Sequence, residues 1–318
     1  MILDVKGLKK TFKGKYGGTV AVDDVSFMIK EGECLGIVGE SGSGKSTVAN
    51  LIAGLIPADS GSVNFCGNEV CGKKGKAVRK ARKKMQMVFQ NPNASFNPKM
   101  KLIKAIAEPL KYDDEFRKSN HDELVYEALE NVGLKKEYAQ KYAWEISGGE
   151  CQRAAIARAI ISKPKLILCD EVTSALDVSI QAQILKLIYE LKSKLKTSYM
   201  FISHDLASVS SVCDKVAVMY KGSILEFGKT GEVVKDPKHP YTADLIDSAL
   251  NPGKRALQSQ NDDVETSACK YYSQCRKTSE ECLKYDLPGF ENEESYSACI
   301  KYLRSHDQLQ KTYINSAR

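Results

Sequence analysis

Eight consecutive residues, Gly39-Glu40-Ser41-Gly42-Ser43-Gly44-Lys45-Ser46, with Thr47 directly after them as a further nucleotide-binding candidate, restrict the architecture of this chain more than any other stretch. They fit G-x-x-x-x-G-K-[ST] without a mismatch, follow the apolar run 35–38, and open a helical pattern over about 45–56. Glycines let such a loop curl until its N–H groups converge on phosphate oxygens, and the helix N-terminus adds positive potential. Lys45 is then expected to reach the β- and γ-phosphates, and the Ser46 hydroxyl to ligate Mg²⁺. A buried strand must enter this loop and a helix must leave it.

The rest of the chain agrees with that demand. Short β-rich runs at 34–38, 166–169, 199–202 and 216–220 alternate with helical patterns, one of them over about 179–195. Strand, helix, strand in this order predicts a parallel sheet wrapped by helices. The runs 2–8 and 20–29 read as an antiparallel pair, and about 97–150 is polar, Lys-rich and helical. The expected fold class is therefore α/β: a mixed sheet core, an antiparallel β subdomain and an inserted helical subdomain, all within 1–250. Residues 251–267 are polar, with Pro252 and Gly253 and few large apolar residues, and read as a linker. A small Cys-rich module is expected over 268–318.

With 318 residues and 42% apolar content the chain is long enough to close its cores, which argues against disorder as its main state. The net charge is +7, and no block of five or more like charges marks a nucleic-acid tail, so no nucleic-acid partner is expected. No run approaches the length of a membrane span, and the opening MILDVKGLKKTF lacks the pattern of a secretory signal.

Hydrolysis needs more than a phosphate loop. The apolar run 166–169 ends in Asp170 and Glu171, at the strand end where ligand chemistry collects in a parallel sheet. Asp170 suits a Mg²⁺ held through water, and Glu171 suits a base that orients and polarises the attacking water.

At Ile146-Ser147-Gly148-Gly149-Glu150-Cys151-Gln152-Arg153 the sequence resembles the signature of the ATP-binding subunits of ABC transporters, and the resemblance extends over about 1–250. It implies that Ser147 and Gly149 face the phosphates of an ATP held by a second subunit, so that two subunits meet head to tail. It likewise implies that Gln90, in Met87-Val88-Phe89-Gln90-Asn91-Pro92, approaches Mg²⁺ and the lytic water. Asp177, in Ser174-Ala175-Leu176-Asp177, is implied at the dimer interface, and His204, in Ile202-Ser203-His204-Asp205, at the γ-phosphate. Phe12 is the expected adenine-stacking ring, with Tyr16 as the alternative. Two departures stand out: Glu150 replaces the last Gln of the signature, and Val172 replaces the proline usual after the catalytic glutamate. Neither removes a reacting group.

Asp236-Pro237-Lys238-His239-Pro240-Tyr241-Thr242 opens a short amphipathic helix and resembles the HPYT segment of importers for oligopeptides, dipeptides and nickel. Within that group the motifs around Gln90 and Asp177 look like the F-type subunit, which implies a D-type sister ATPase, two integral permease subunits, an extracytoplasmic substrate-binding protein, and a peripheral place on the cytoplasmic face of the membrane. A soluble ABC ATPase without a transport role usually carries two cassettes or a long coiled coil, and this chain shows neither. An exporter ATPase is disfavoured by the HPYT segment and by the cysteines. Four of the ten cysteines form the pattern Cys269-x5-Cys275-x6-Cys282-x16-Cys299. A metal-ligand set is preferred to disulfides where no secretory signal precedes. Its similarity to the C-terminal pattern of these importers implies a [4Fe–4S] cluster; Zn²⁺ and unliganded or disulfide-bonded thiols stay open, with Tyr271, Tyr272, Tyr285 and Leu287 as a possible apolar shell.

Overall fold

A computed structural model describes residues 1–14, 17–116, 118–250, 269–283, 295–300 and 302. Two long strands, β1 (Leu3–Gly14) and β2 (Gly17–Ile29), open it as an antiparallel pair. They are followed by β3 (Cys34–Val38), α1 (Lys45–Ala53), β4 (Ser60–Phe65), β5 (Asn68–Glu69), α2 (Lys76–Lys83) and β6 (Met85–Val88). A helical stretch comes next: α3 (Pro92–Ser95), α4 (Leu102–Ile106), α5 (His121–Asn131) and α6 (Gly148–Ile160). The chain then runs through β7 (Leu166–Asp170), α7 (Val178–Leu195), β8 (Ser198–Ser203), α8 (Leu206–Val212), β9 (Lys215–Tyr220), β10 (Ser223–Lys229), α9 (Thr230–Lys235), α10 (Pro240–Leu250) and β11 (Tyr296–Ser297).

Two sheets result. One is antiparallel with the order β2-β1-β4-β5, and the other is mixed with the order β11-β10-β9-β3-β8-β7-β6. Within the mixed sheet β9, β3, β8, β7 and β6 run parallel, and β10 and β11 add antiparallel edges. Every residue of β3, β7 and β8 is buried, as expected of parallel strands covered on both faces.

The period of two sorts their side chains. Leu35 and Ile37 of β3, Leu166 and Leu168 of β7, and Met200 and Ile202 of β8 pack with α1 and the antiparallel sheet. Cys34 and Val38, Ile167 and Cys169, and Tyr199 and Phe201 face the opposite layer, with α7, α8 and the helical insert. Gly36 serves that layer by its lack of a side chain: a Cβ there would sit 2.2 Å from Val209 Cγ1 on α8.

Helix ends follow local chemistry. The pattern expected over 45–56 stops at Ala53 because Gly54 takes a left-handed backbone, φ 71°, and returns its N–H to Asn50 and Leu51. In the insert, Asn120 caps α5, Asp122 and Glu123 lie in its first turn, and Val125, Ala128 and Leu129 form the buried stripe. Among the described residues of the insert no strand forms; one isolated bridge joins Lys101 to Tyr142.

The cysteine-bearing segment is joined to the mixed-sheet core in its described part. β11 pairs with β10 through Glu226–Ser297 and Phe227–Tyr296, and Tyr271 and Ala298 are buried in the same cluster as the insert and α8. The expected linker 251–267 lies outside the described residues, as do Tyr16, Tyr285, Leu287 and much of 268–318.

Candidate nucleotide site

Because β8 lies between β3 and β7, the loops leaving the carboxyl ends of these strands are neighbours. Ligands gather at such an edge of a parallel sheet. β3 delivers the loop 39–46, β7 delivers Asp170 and Glu171, and β8 delivers His204, which is exposed.

Gly44 caps α1 with φ 98°, and a Cβ there would lie 2.0 Å from the Ala21 carbonyl oxygen, so both the turn and the approach of β2 require glycine. Ser41 and Gly42 stand exposed at the tip, and Ser43 is buried. Lys45 is 4% exposed and donates from Nζ to the Gly39 and Glu40 carbonyls at 2.8 and 2.7 Å. Burial lowers its pKa, against the opposing charges of Glu171 and Asp170. The ammonium is thus folded onto neutral acceptors that a phosphate can replace.

On the first turn of α1, Ser46 Oγ donates to Asp170 Oδ1 at 2.8 Å, and Thr47 follows it. Burial raises the Asp170 carboxyl, with Glu171 adding to the effect and Ser46 and Lys45 opposing it. A hydroxyl touching a half-desolvated carboxylate is the oxygen donor set that a Mg²⁺ beside a phosphate needs, so the chemistry fits that ion.

Glu171 has φ 47°, a left-handed backbone rare outside glycine, and its N–H donates to the Ile202 carbonyl at 3.1 Å. Gln90 Nε2 donates to Glu171 Oε2 at 2.9 Å and to Ser174 Oγ at 3.2 Å, while Ser174 Oγ donates to the Glu171 carbonyl at 2.9 Å. Ser174 was not singled out in the sequence as a partner of these two. The signal that marks it is its place three residues after the strand-end carboxylate, where a hydroxyl reaches back to the backbone.

The signature forms a different surface. Ser147 caps α6, and Glu150 closes a capping box: the Ser147 N–H and O–H both donate to Glu150 Oε2 at 2.8 Å, and the Glu150 N–H returns to Ser147 Oγ. The Tyr138 hydroxyl also donates to Glu150. That bond first, and then the Ser147 amide, hold the Glu150 carboxyl below its usual range. The charge that replaces the usual Gln therefore serves its own helix N-terminus. Gly148 and Gly149 face Leu176 and Ile180, and Asp177 caps α7 by accepting from the Ile180 N–H at 3.1 Å and the Ser179 hydroxyl at 2.8 Å. Among the described residues no hydrogen bond joins the signature to the loop 39–46 of the same chain. Phe12 is 44% exposed on β1, with Lys10 Nζ 5.7 Å from its ring centroid.

At the HPYT segment, His239 is 1% exposed, and its Nδ1 accepts the Tyr241 N–H at 3.1 Å, which leaves the ring proton on Nε2. Burial lowers its pKa from 6.5 to about 4. The unfolded chain then binds the extra proton between those values, so stability is full above about 6.5 and falls as the pH drops toward about 4, by ~3 kcal/mol. The neighbouring Glu226 acts oppositely, because burial raises its carboxyl. The contrast with His239→Gln isolates the histidine: the urea midpoint of the parent falls more steeply on acidification than that of the variant. Equal slopes would exclude this linkage.

Cys269, Cys275, Cys282 and Cys299 line one apolar pocket together with His239, and Cys269 Sγ lies 3.8 Å from His239 Nε2. Burial pushes the Cys269 thiol up to about 11 and raises Cys275 as well. Among the described residues, however, no three His, Cys, Asp or Glu side chains come close enough to share one ion. That spacing describes a single ion; in a [4Fe–4S] cluster each thiolate meets a different iron, so what bears on the expected set is that the four thiols line one pocket.

Residues 22–174 match the family described as "ABC transporter", and residues 225–282 match "Oligopeptide/dipeptide transporter, C-terminal region". The chain is 40% identical over 311 residues to the "Oligopeptide transport ATP-binding protein OppF" of Haemophilus influenzae, covering 94% of each chain. It is 39% identical to the protein of the same description from Escherichia coli, covering 95% of this chain and 96% of that one. Among solved structures, a dimeric ATP-binding cassette in a post-hydrolysis state bound to ADP and Pi superposes with a TM-score of 0.65 at 28% identity, covering 72% of this chain and 99% of that chain. An ABC transporter cassette in its ADP conformation gives 0.63 at 27% identity, covering 77% and 97%. Among the described residues no helix is long and apolar enough to cross a membrane.

Proposed function

Because the chain belongs to the ABC transporter family, among its oligopeptide-transport ATP-binding proteins, we propose that it is the ATP-hydrolysing subunit that powers a peptide importer. The observation that carries the reading is the pair of contacts at one sheet edge, Ser46 with Asp170 across β8, the strand that His204 follows, and Gln90 with Glu171 beside β6 and β7. In this reading residues Gly39 to Thr47 cradle the triphosphate and Lys45 takes its β- and γ-oxygens. Ser46 and Gln90 would hold Mg²⁺, with Asp170 acting through water, and the bound ion would supply neutralisation of the charge that develops on the phosphates. Glu171 accepts the proton of the attacking water, His204 orients the γ-phosphate, and Phe12 stacks on adenine.

Ser147 and Gly149, at the positive end of α6, cover the ATP of a second subunit, and Asp177 lies where the two subunits meet. That subunit is the D-type sister ATPase. The cleft between sheet and insert, lined by Leu55, Phe89, Pro109 and Tyr112, takes a segment of one of the two permeases on the cytoplasmic face of the membrane. An extracytoplasmic binding protein delivers the peptide; nickel is the alternative cargo. The test is reconstitution with candidate permease subunits and a D-type sister ATPase. ATP-driven uptake of a labelled peptide that requires this subunit supports the reading. A protein that never co-purifies with a permease, and whose turnover ignores one, contradicts it.

The finer cofactor reading, a [4Fe–4S] cluster on Cys269, Cys275, Cys282 and Cys299 with Zn²⁺ as the alternative, draws its support from the shared pocket and the four-thiol donor set. No step of ATP chemistry passes through it. Protein purified without oxygen is expected to carry about four iron and four sulfide per chain. Stoichiometric zinc, or four alkylatable thiols without metal, would each overturn the assignment.

A further inference from the structure

We propose that Tyr241 is a positioning residue for the phosphate loop and that the cysteine pocket acts on ATP binding through it. The proposal rests on reading 39–46 as the ATP site. Three contacts run in series: Cys269 Sγ to His239 Nε2 at 3.8 Å, His239 Nδ1 accepting the Tyr241 N–H at 3.1 Å, and the Tyr241 hydroxyl accepting the Glu40 N–H at 3.1 Å. The last contact decides the chemistry. The Glu40 N–H and the Gly39 carbonyl belong to one peptide plane, and that carbonyl holds Lys45 Nζ at 2.8 Å. Tyr241 therefore fixes the orientation of the plane on which the phosphate-binding ammonium rests, and each hydrogen bond polarises the other through the amide.

The ring cannot swing freely. Tyr241 is 2% exposed and packs on Tyr220 and Tyr271, with centroids 4.7 and 5.2 Å away. Tyr271, two residues beyond Cys269, donates its hydroxyl to Asp244 at 2.6 Å, on the same helix as Tyr241. Packing accounts for the three rings; it does not account for a buried hydroxyl aimed at a loop amide.

The test uses the full chain with MgATP, by calorimetry, and the assembled transporter for turnover. Tyr241→Phe keeps the ring and removes one acceptor; the ATP Kd is expected to rise about fivefold, with a smaller change in kcat. Tyr271→Phe removes the Asp244 bond without touching the loop and is expected to leave the Kd within about twofold of the parent. Cys269→Ser is expected to weaken ATP binding less, and non-additively with Tyr241→Phe. Parent affinity in Tyr241→Phe, or equal weakening by both tyrosine variants in step with a lower Tm, overturns the positioning role. Additive effects remove the cysteine pocket from it. Lys45→Ala distinguishes these failures from failure of the site reading: if it too binds ATP normally, the loop is not the ATP site.

The charge of the chain carries a second, independent inference. Residues 73–84 hold eight Lys or Arg and no Asp or Glu; removing those eight from the 47 Lys and Arg leaves 39 cations against 40 carboxylates. The whole positive excess sits in this one segment. α2 turns Val78 and Ala81 inward and leaves Lys73, Lys74, Lys76, Arg79 and Lys80 exposed. Arg82, whose Nη2 donates to the Val70 carbonyl, and Lys83 line the cleft assigned above to the permease. We infer that this face rests on anionic phospholipid headgroups when the subunit docks, an inference that rests on the importer reading. A cleft that receives a membrane-embedded partner brings its basic rim near the headgroups, and the absence of aromatic residues in 73–84 disfavours single-stranded nucleic acid.

The full chain is expected to co-sediment with phosphatidylcholine vesicles containing a quarter phosphatidylglycerol, not with phosphatidylcholine alone, and less so as salt rises. Lys73→Glu, Lys74→Glu, Lys76→Glu and Lys80→Glu together are expected to lower that binding at least about tenfold. Undiminished vesicle binding by the variant, or stronger binding of the parent to DNA than to anionic vesicles, overturns the inference. Co-purification with the permease in detergent reads the importer assignment separately.

Discussion

Replacing Glu171 by Gln is expected to lower ATP turnover in the assembled transporter about a thousandfold while MgATP still binds. The substitution keeps shape and keeps an acceptor for Gln90, whose Nε2 lies 2.9 Å from Glu171 Oε2, but removes the group able to take a proton from water. The strained backbone at Glu171, φ 47°, is a feature of the main chain and persists in the variant. The protein should therefore stay folded and accumulate with unhydrolysed ATP. Phosphate release under single-turnover conditions measures the loss, and an equilibrium ATP titration checks that binding survives. Turnover near that of the parent would remove Glu171 from its role and shift attention to His204 or to a group from the second subunit.

Replacing Gly149 by Asp is expected to be nearly as severe, at least about a hundredfold in turnover, by a different route. A Cβ at Gly149 would lie 2.7 Å from Ile180 Cγ2, so the substitution fits only if the Ile180 side chain on α7 gives way. It also brings a carboxylate to the N-terminus of α6, on the surface assigned to the phosphates of the second ATP. The native Glu150 escapes that penalty because Ser147 and Tyr138 draw its carboxylate back onto its own helix; an aspartate one residue earlier has no such partners arranged for it. ATP binding by the isolated subunit is expected to be unchanged, and ATP-driven association with the sister subunit to be lost. Sedimentation velocity with and without MgATP separates these. A variant that loses ATP binding as a monomer would place the signature in its own site.

The glycine turn at 39–46 was legible in the sequence because its chemistry is local: eight adjacent residues supply the turn, the amides and the cation. Asp170 and Glu171 were legible because a buried strand must end before it can present charge. The hydrogen-bonded pairs were less so, since Gln90 and Glu171 meet only because β6 lies beside β7. Several strands gave no clear signal. β4 alternates only in its second half, and β10 carries Glu226, 2% exposed, which breaks its apolar pattern. That carboxylate is tolerated in the core because it accepts the N–H groups of Lys238 and His239 at 2.8 and 2.9 Å, contacts that no period-two pattern reports. Tyr241 stands in the sequence only as part of a short amphipathic helix; its hydroxyl reaches Glu40 across 201 positions of chain. The cysteine spacing singled out four thiols but not their separations; they come together in one pocket beside His239.

Composite ATP sites are the core of this account, and a structure of the Glu171→Gln transporter trapped with MgATP tests them most directly. Each triphosphate should lie on the glycine-rich loop of one ATPase subunit and be capped by the serine at the start of the signature helix of the other, with Ser147 of this chain on the sister subunit's nucleotide. Two nucleotides each enclosed by a single subunit, with Ser147 turned to solvent, would contradict it.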